Sequence, residues 1–156
     1  MPPTVEYASP GETAENALVD DLLTLYGTYG WWDDREADDL RDALSETEEV
    51  VVVRDDDDGA PLAAARVLTD YVYYAQVFDV VVQEDHRGDG LGHRLLRAVV
   101  EHPRLESVAP SLLAREGLVP FYESCGFEDP GPVEHPDGEA EPLRWLVDRS
   151  GRDGEE

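Results

Sequence analysis

Residues Val77 to Leu96 read VFDVVVQEDHRGDGLGHRLL, and this stretch constrains the fold more than any other. A β-branched, apolar run ends at Val82. A turn comes next with glycine at every second position: Gly88, Gly90 and Gly92. Leu91, Leu95, Leu96, Val99 and Val100 then recur at helical spacing, so a helix is expected over 90–101, stopped by Pro103. Alternate glycines let a backbone turn tightly and leave its N–H groups uncovered by side chains. The start of the helix adds partial positive charge, which makes the turn a candidate anion site, most naturally for phosphate or pyrophosphate. Arg87, Arg94 and Arg97 stand here in a chain with only 12 basic residues, all arginine. The plain alternative is a structural turn with capping glycines. Two other phosphate loops fail: a P-loop needs a lysine, and a dinucleotide fingerprint spaces its glycines GxGxxG in an early βαβ unit.

The flanking sequence places this unit in a single domain. Ser9-Pro10-Gly11-Glu12 reads as a helix start with Ser9 as cap, and Ala14, Leu18, Leu22 and Leu25 form one face of a helix ending near Tyr26. A glycine- and aromatic-rich loop (YGTYGWWDD) leads to a second helix with Ala37, Leu40 and Leu44 as its stripe. Four consecutive valines in 49–54 suit a strand at a buried position in a sheet. Asp58-Gly59 is a hairpin pair, so 62–68 is the return strand, followed by a strand over 73–82. Residues 105–114 can hold a strand interrupted by Pro110, 118–125 a short helix closed by Gly126, and 143–147 a last strand. The order is helices, hairpin, strand, helix, strand, helix, strand. It predicts an α/β or α+β domain with a mixed sheet.

Composition narrows the function classes. The 156 residues include 37 acidic side chains and no lysine, for a net charge of −25. One reading is a protein that binds a basic partner. The reading we prefer is an acidic surface suited to a salt-rich cytoplasm, because the acid is spread along the whole chain and screening at molar salt shortens the Debye length to about 3 Å. The charge argues against nucleic-acid binding, which normally leaves a basic stripe. A single cysteine excludes a disulfide framework and a Cys-based zinc site, and His86, His93, His102 and His135 show no ligand spacing, so no metal is expected. The N-terminus shows no signal peptide and no run approaches the roughly 20 apolar residues of a membrane span, so a soluble cytoplasmic protein is expected, with no membrane partner.

A second motif lies downstream: Phe121-Tyr122-Glu123-Ser124-Cys125-Gly126-Phe127. Taken with Arg87-Gly88-Asp89-Gly90-Leu91-Gly92, it resembles the GNAT superfamily of acyl-CoA-dependent N-acetyltransferases, whose signatures are [Q/R]xxGx[G/A] between strand and helix and FYxxxGF after one further strand. The chain is most similar to a small bacterial-type branch, through Tyr29, Trp31, Trp32 and Arg35, through Arg66-Val67-Leu68-Thr69-Asp70, through Asp79-Val80-Val81-Val82 and through Glu101-His102-Pro103-Arg104-Leu105. It departs from that branch at Glu84, where a proline is usual, and at Arg115-Glu116-Gly117-Leu118, where a polar segment is usual.

The resemblance implies a GNAT-like domain over 1–148, its central sheet mixed, mostly antiparallel and flanked by helices, with an acidic tail over 149–156 expected to be frayed. It implies acetyl-CoA as cosubstrate. The backbone of Val80, Val81 and Val82 would pair with the pantetheine arm. N–H groups from Arg87 to His93 (through Gly88, Asp89, Gly90, Leu91 and Gly92) would hold the pyrophosphate. Phe121 would line the channel and Tyr122 would protonate the departing thiolate. Asp79, with a pKa raised by burial, is the first candidate to take the amine proton, directly or through water. Trp31, Trp32 and Arg35 would wall the acceptor pocket, and Asp70 could meet a cationic amine. Each has a structural alternative: Asp79 as a loop-binding carboxylate, the tryptophans as core, Tyr122 as an amphipathic core tyrosine. The function expected is acetyl transfer to a small-molecule or peptide primary amine by direct attack. A non-catalytic CoA-binding sensor and an acidic interaction module stay open, as do the acceptor and the oligomeric state, a homodimer being a superfamily habit.

The charge generates a direct expectation. The melting temperature should climb steeply between dilute buffer and molar KCl, as self-repulsion is screened. A melting temperature that stays flat over that range contradicts the salt-adapted reading.

Overall fold

The computed structural model describes residues 3–9, 11–30, 32–86 and 88–129. The expected strand at 143–147, the loop that precedes it and the tail lie outside these residues.

A four-stranded antiparallel sheet runs in order β1 (Thr4–Ala8), β2 (Glu49–Arg54), β3 (Pro61–Thr69), β4 (Ala75–Val82). Helices α1 (Asn16–Tyr26) and α2 (Ala37–Ser45) precede β2, and α3 (Leu91–Val100) and α4 (Val119–Ser124) follow β4. The valine run of β2 is fully buried because helices cover both faces of the sheet. Val51 and Val53 pack with Leu91, Leu95, Leu96 and Val99 of α3, whereas Val50 and Val52 pack with Leu18, Leu22 and Leu25 of α1 and with Leu40 and Leu44 of α2. Each buried aliphatic side chain contributes about 1.5–3 kcal/mol, so this two-sided core is the main stabiliser of the fold.

Several expectations are corrected. Strand β1 was not expected, and α1 begins at Asn16 rather than near Ser9. Ser9 N–H does donate to Glu12 Oε1, at 3.1 Å, but the pair closes only a turn, because the Ser9 hydroxyl donates to buried Glu49 instead of capping a helix. Residues 105–114 form no strand: Ser111 alone makes a parallel bridge to Gln76, which is the mixed element of the sheet. Val100 is exposed, and Ala98 joins the inward face of α3 in its place. Strand β4 starts at Ala75 rather than Tyr73, because the Asp70 carboxylate accepts from the N–H groups of Val72, Tyr73 and Tyr74 and holds them in a loop.

Buried charge marks one end of the sheet, and an irregular register lies nearer its middle. At its far end, Glu49 is fully buried and meets Ser9, Tyr71, Arg104 and His102, tying β1, β2, the β3–β4 hairpin and the residues after α3 together. His102 Nδ1 accepts from the Arg104 N–H, so Nε2 carries the proton; it lies 2.8 Å from Glu49 Oε1 but off axis, an electrostatic contact rather than a formed hydrogen bond. Nearer the middle, β4 carries one residue too many. Ala64 pairs with Val81 and Arg66 with Phe78, so Asp79 and Val80 together oppose Ala65 in a β-bulge. Asp79 takes a left-handed φ of 54° there.

Candidate active site

Strand β4 is the outer strand of the described sheet. Val77 N–H donates to Ser111 O and Ser111 N–H to Ala75 O. Beyond the bulge no described backbone group continues this pairing, so β4 and the 111–114 segment part. The gap is a cleft of about 860 Å³, lined by Val80 and Val82 of β4, by Leu112, Leu113 and Ala114 opposite, and by Phe121 and Tyr122 of α4. Gly88 and Gly92 line one part of it, and Tyr29, Trp32, Phe78 and Asp79 also border it. Val81 points the other way, into the core between sheet and α1.

The glycine turn is built as expected. Gly88 and Gly90 adopt φ of 90° and 81°, and Gly90 caps α3. The first-turn amides of Leu91, Gly92 and His93 have no intrahelical acceptor, as at any helix start. The Asp89 N–H is different: it donates to His86 O, so it adds nothing to an anion cradle. Gly92 has a separate reason to lack a side chain, since a Cβ there would lie 2.8 Å from the Phe121 ring. The same approach docks α4 onto α3, helped by His93. The Ser124 hydroxyl donates to Phe121 O and therefore accepts from His93 Nε2, at 2.8 Å. Arg94 reaches the Pro3 carbonyl, beside a smaller groove that also touches Gly90. Arg87 and Trp31 lie outside the described residues.

Tyr122 borders the cleft and is half-buried, and burial raises its hydroxyl pKa above the ordinary value, with Cys125 adding to the shift. Its hydroxyl is therefore a donor at neutral pH. Cys125 is a free thiol whose own pKa is raised by burial, the wrong direction for a nucleophile.

Asp79 departs from expectation. Burial would raise its pKa, but the hydrogen bond from Arg35 and the charges of Arg66 and Arg35 outweigh burial and hold it below the usual carboxylate value. Arg35 donates to both carboxylate oxygens, at 2.9 and 3.3 Å, and Arg66 Nε donates to Oδ2 at 2.7 Å. An ionised carboxylate so occupied is a poor proton acceptor. Arg35 itself is not among the residues that line the cleft; its guanidinium lies 4.9 Å from the ring of Trp32, which does line it. Asp70 is on the exposed hairpin, away from the cleft, with the depressed pKa of a carboxylate accepting several backbone N–H bonds. Neither the Asp79–Arg35 pairing nor the tether from the Tyr29 hydroxyl to Val82 O was readable from spacing, because each joins residues far apart in sequence. Among the described residues no group of three or more His, Cys, Asp or Glu side chains is placed to hold a metal ion, and no helix is long and apolar enough to cross a membrane.

Comparison with known proteins adds to this geometry. A model of the acetyltransferase (GNAT) family matches residues 16–127. GCN5-related N-acetyltransferase 1, chloroplastic, of Arabidopsis thaliana is 27% identical over 127 residues, 81% of this chain and 61% of its own length. Serotonin N-acetyltransferase 2, chloroplastic, of Oryza sativa is 38% identical over 97 residues, 60% of this chain and 48% of its own. The chain thus spans less than two thirds of these relatives. A GNAT-family acetyltransferase from Streptococcus pneumoniae superposes with a TM-score of 0.63 at 21% identity, covering 93% of this chain and 98% of that one, a likeness of fold.

The turn can be tested without an acceptor. Gly90→Asp puts a side chain on a left-handed residue and a negative charge beside the first-turn amides. Calorimetry with CoA should show binding lost while circular dichroism stays native; unchanged affinity would place the anion cradle elsewhere.

Proposed function

Because the chain belongs to the acetyltransferase (GNAT) family, we propose that it transfers an acetyl group from acetyl-CoA to a primary amine by direct attack. The observation that carries this reading is the meeting, in one cleft, of an open edge of β4, a glycine turn with uncovered amides, and a half-buried tyrosine. GNAT acetyltransferases use acetyl-CoA as cosubstrate, and the residues present fit it. The β4 edge at Val80 offers backbone groups to an amide-bearing arm, as an added strand would. The Val82 carbonyl is already held by the Tyr29 hydroxyl, so Val80 is the better point of pairing. The amides of Gly88 and of Gly90 to His93 suit a pyrophosphate, and Phe121 supplies an apolar wall.

The amine nitrogen attacks the thioester carbonyl carbon, the carbon–sulfur bond breaks, and the thiolate takes a proton. Tyr122 gives that proton and takes one back from solvent. A tyrosine pKa near 10, raised further here, keeps it protonated, and a thiolate of conjugate pKa about 8.5 is helped by its hydrogen bond as charge develops. With both Asp79 oxygens engaged by arginine, the amine proton leaves to water. No covalent enzyme intermediate is required, since the thiol of Cys125 is not activated. A primary amine is also the acceptor in the name of the rice relative. The net charge of −25 without lysine supports a salt-rich cytoplasm as the working compartment.

Tyr122→Phe keeps the ring and loses only the hydroxyl. Steady-state kinetics should show kcat reduced about 10²-fold or more, with acetyl-CoA affinity little changed. Undiminished kcat would assign the proton to water or another residue. Absence of turnover in the unaltered protein, across a wide amine panel, would favour a CoA-binding sensor instead.

A further inference from the structure

We infer that Arg35 is a positioning residue for the acceptor: anchored on Asp79, it holds Trp32 in place as a wall of the cleft. The inference rests on the acyl-transfer reading and adds to it the element that sets where an acceptor sits. The connection between α1 and α2 is irregular, so its course over β4 depends on tethers. Two are present on the described residues. The Tyr29 hydroxyl donates to Val82 O, and the Arg35 guanidinium forms a two-pronged pair with Asp79 at 2.9 and 3.3 Å.

Arg35 links a fixed point to a wall. On one side it lies 4.7 Å over the ring of Tyr26, which is only 1% exposed in the core. On another it lies 4.9 Å from the ring of Trp32, which borders the cleft. Trp32 makes edge contacts with Tyr26 and Tyr29 at 5.2 and 5.9 Å, so its setting is shared by these rings and the guanidinium. The anchor is itself held from below: Arg66 Nε binds Asp79 at 2.7 Å while its Nη1 donates to Thr47 Oγ1 at 3.0 Å. Losing Arg35 therefore leaves Asp79 paired through Arg66, and takes from Trp32 the guanidinium that helps to set its ring while the Tyr26 and Tyr29 contacts stay. A lysine has neither the planar fork for both oxygens nor a flat face for the rings, so charge alone does not replace it. Arg35 is not among the residues that line the cleft, so its proposed route to an acceptor runs through Trp32.

The test compares Arg35→Gln, Arg35→Lys, Trp32→Ala and the double variant Arg35→Gln/Trp32→Ala with the unaltered protein. Arg41→Gln, from an exposed pair with Asp38 on α2, is the control. The substrates are acetyl-CoA and the best amine of a panel. Acceptor KM should rise about tenfold in Arg35→Gln, kcat should stay within about twofold, and acetyl-CoA affinity by calorimetry should not move. Arg35→Lys should not restore the KM, and the double variant should be no worse than Trp32→Ala. In a background where Trp31 and Trp145 are phenylalanine, Trp32 emission should shift to the red and become more open to acrylamide in Arg35→Gln. A purely structural role would lower the melting temperature without separating acceptor KM from acetyl-CoA affinity. The inference is overturned by an unchanged acceptor KM, by rescue with lysine, by additive losses in the double variant, or by unaltered Trp32 emission. Wild-type protein that binds acetyl-CoA but acetylates no amine overturns the acyl-transfer reading itself, and this role with it.

Discussion

One extra residue in β4, and the ion cluster that holds it, is the constraint on which the rest depends. A non-glycine residue in the left-handed region is uncommon, and aspartate is among the residue types that tolerate it best. Here the conformation is held by three hydrogen bonds from two arginines. Removing Asp79 from this partly buried cluster costs on the order of 3–5 kcal/mol at most, because it takes from Arg35 and Arg66 the counter-charge that they share. The sign with pH is set by the depressed pKa of Asp79. Its stabilising contribution is complete above the unfolded aspartate value near 3.9 and disappears as pH falls through the lower folded value.

The bulge has geometric consequences for the whole site. Before it, Ala75 and Val77 bond the backbone of Ser111; after it, that pairing ends and the cleft begins. Helix α4 closes the far wall, held against α3 where Gly92 gives the Phe121 ring room and where His93 meets Ser124. The opposite end of the sheet is tied shut by buried Glu49 and its four partners. The two ends therefore differ in kind: one gathers buried polar side chains around Glu49, and the other opens into a cleft bordered by the glycine turn and Tyr122.

The parts legible in the sequence are those whose signal is local. The valine run, the Asp58-Gly59 hairpin, the glycine turn, the leucine spacing of α3 and the Gly126 cap each lie within a few residues of the structure they specify. The losses have the opposite character. Strand β1 (TVEYA) alternates polar and apolar residues over too short a span to stand out, and it gains its partner only from β2, more than 40 positions on. The Ser9 cap failed because Glu49, also remote, takes the hydroxyl. Asp79 was expected beside the cleft and does border it, but its charge partners were not legible. Burial was foreseeable; the arginines at 35 and 66 that reverse its effect were not. Tyr122, Phe121, Gly88 and Gly92 border one cleft, and the two short motifs that hold them are each read from a few neighbouring residues.

The central claim is that the splayed edge of β4 and the glycine turn form one surface for acetyl-CoA. Amide hydrogen exchange in molar KCl, with and without a saturating concentration of the non-hydrolysable cosubstrate analogue or CoA, tests it most directly. Protection should rise about tenfold or more at Val80 and over 88–93, while the Glu49 end of the sheet stays unchanged. Protection confined to other segments, or none at all despite measured binding, would contradict the account.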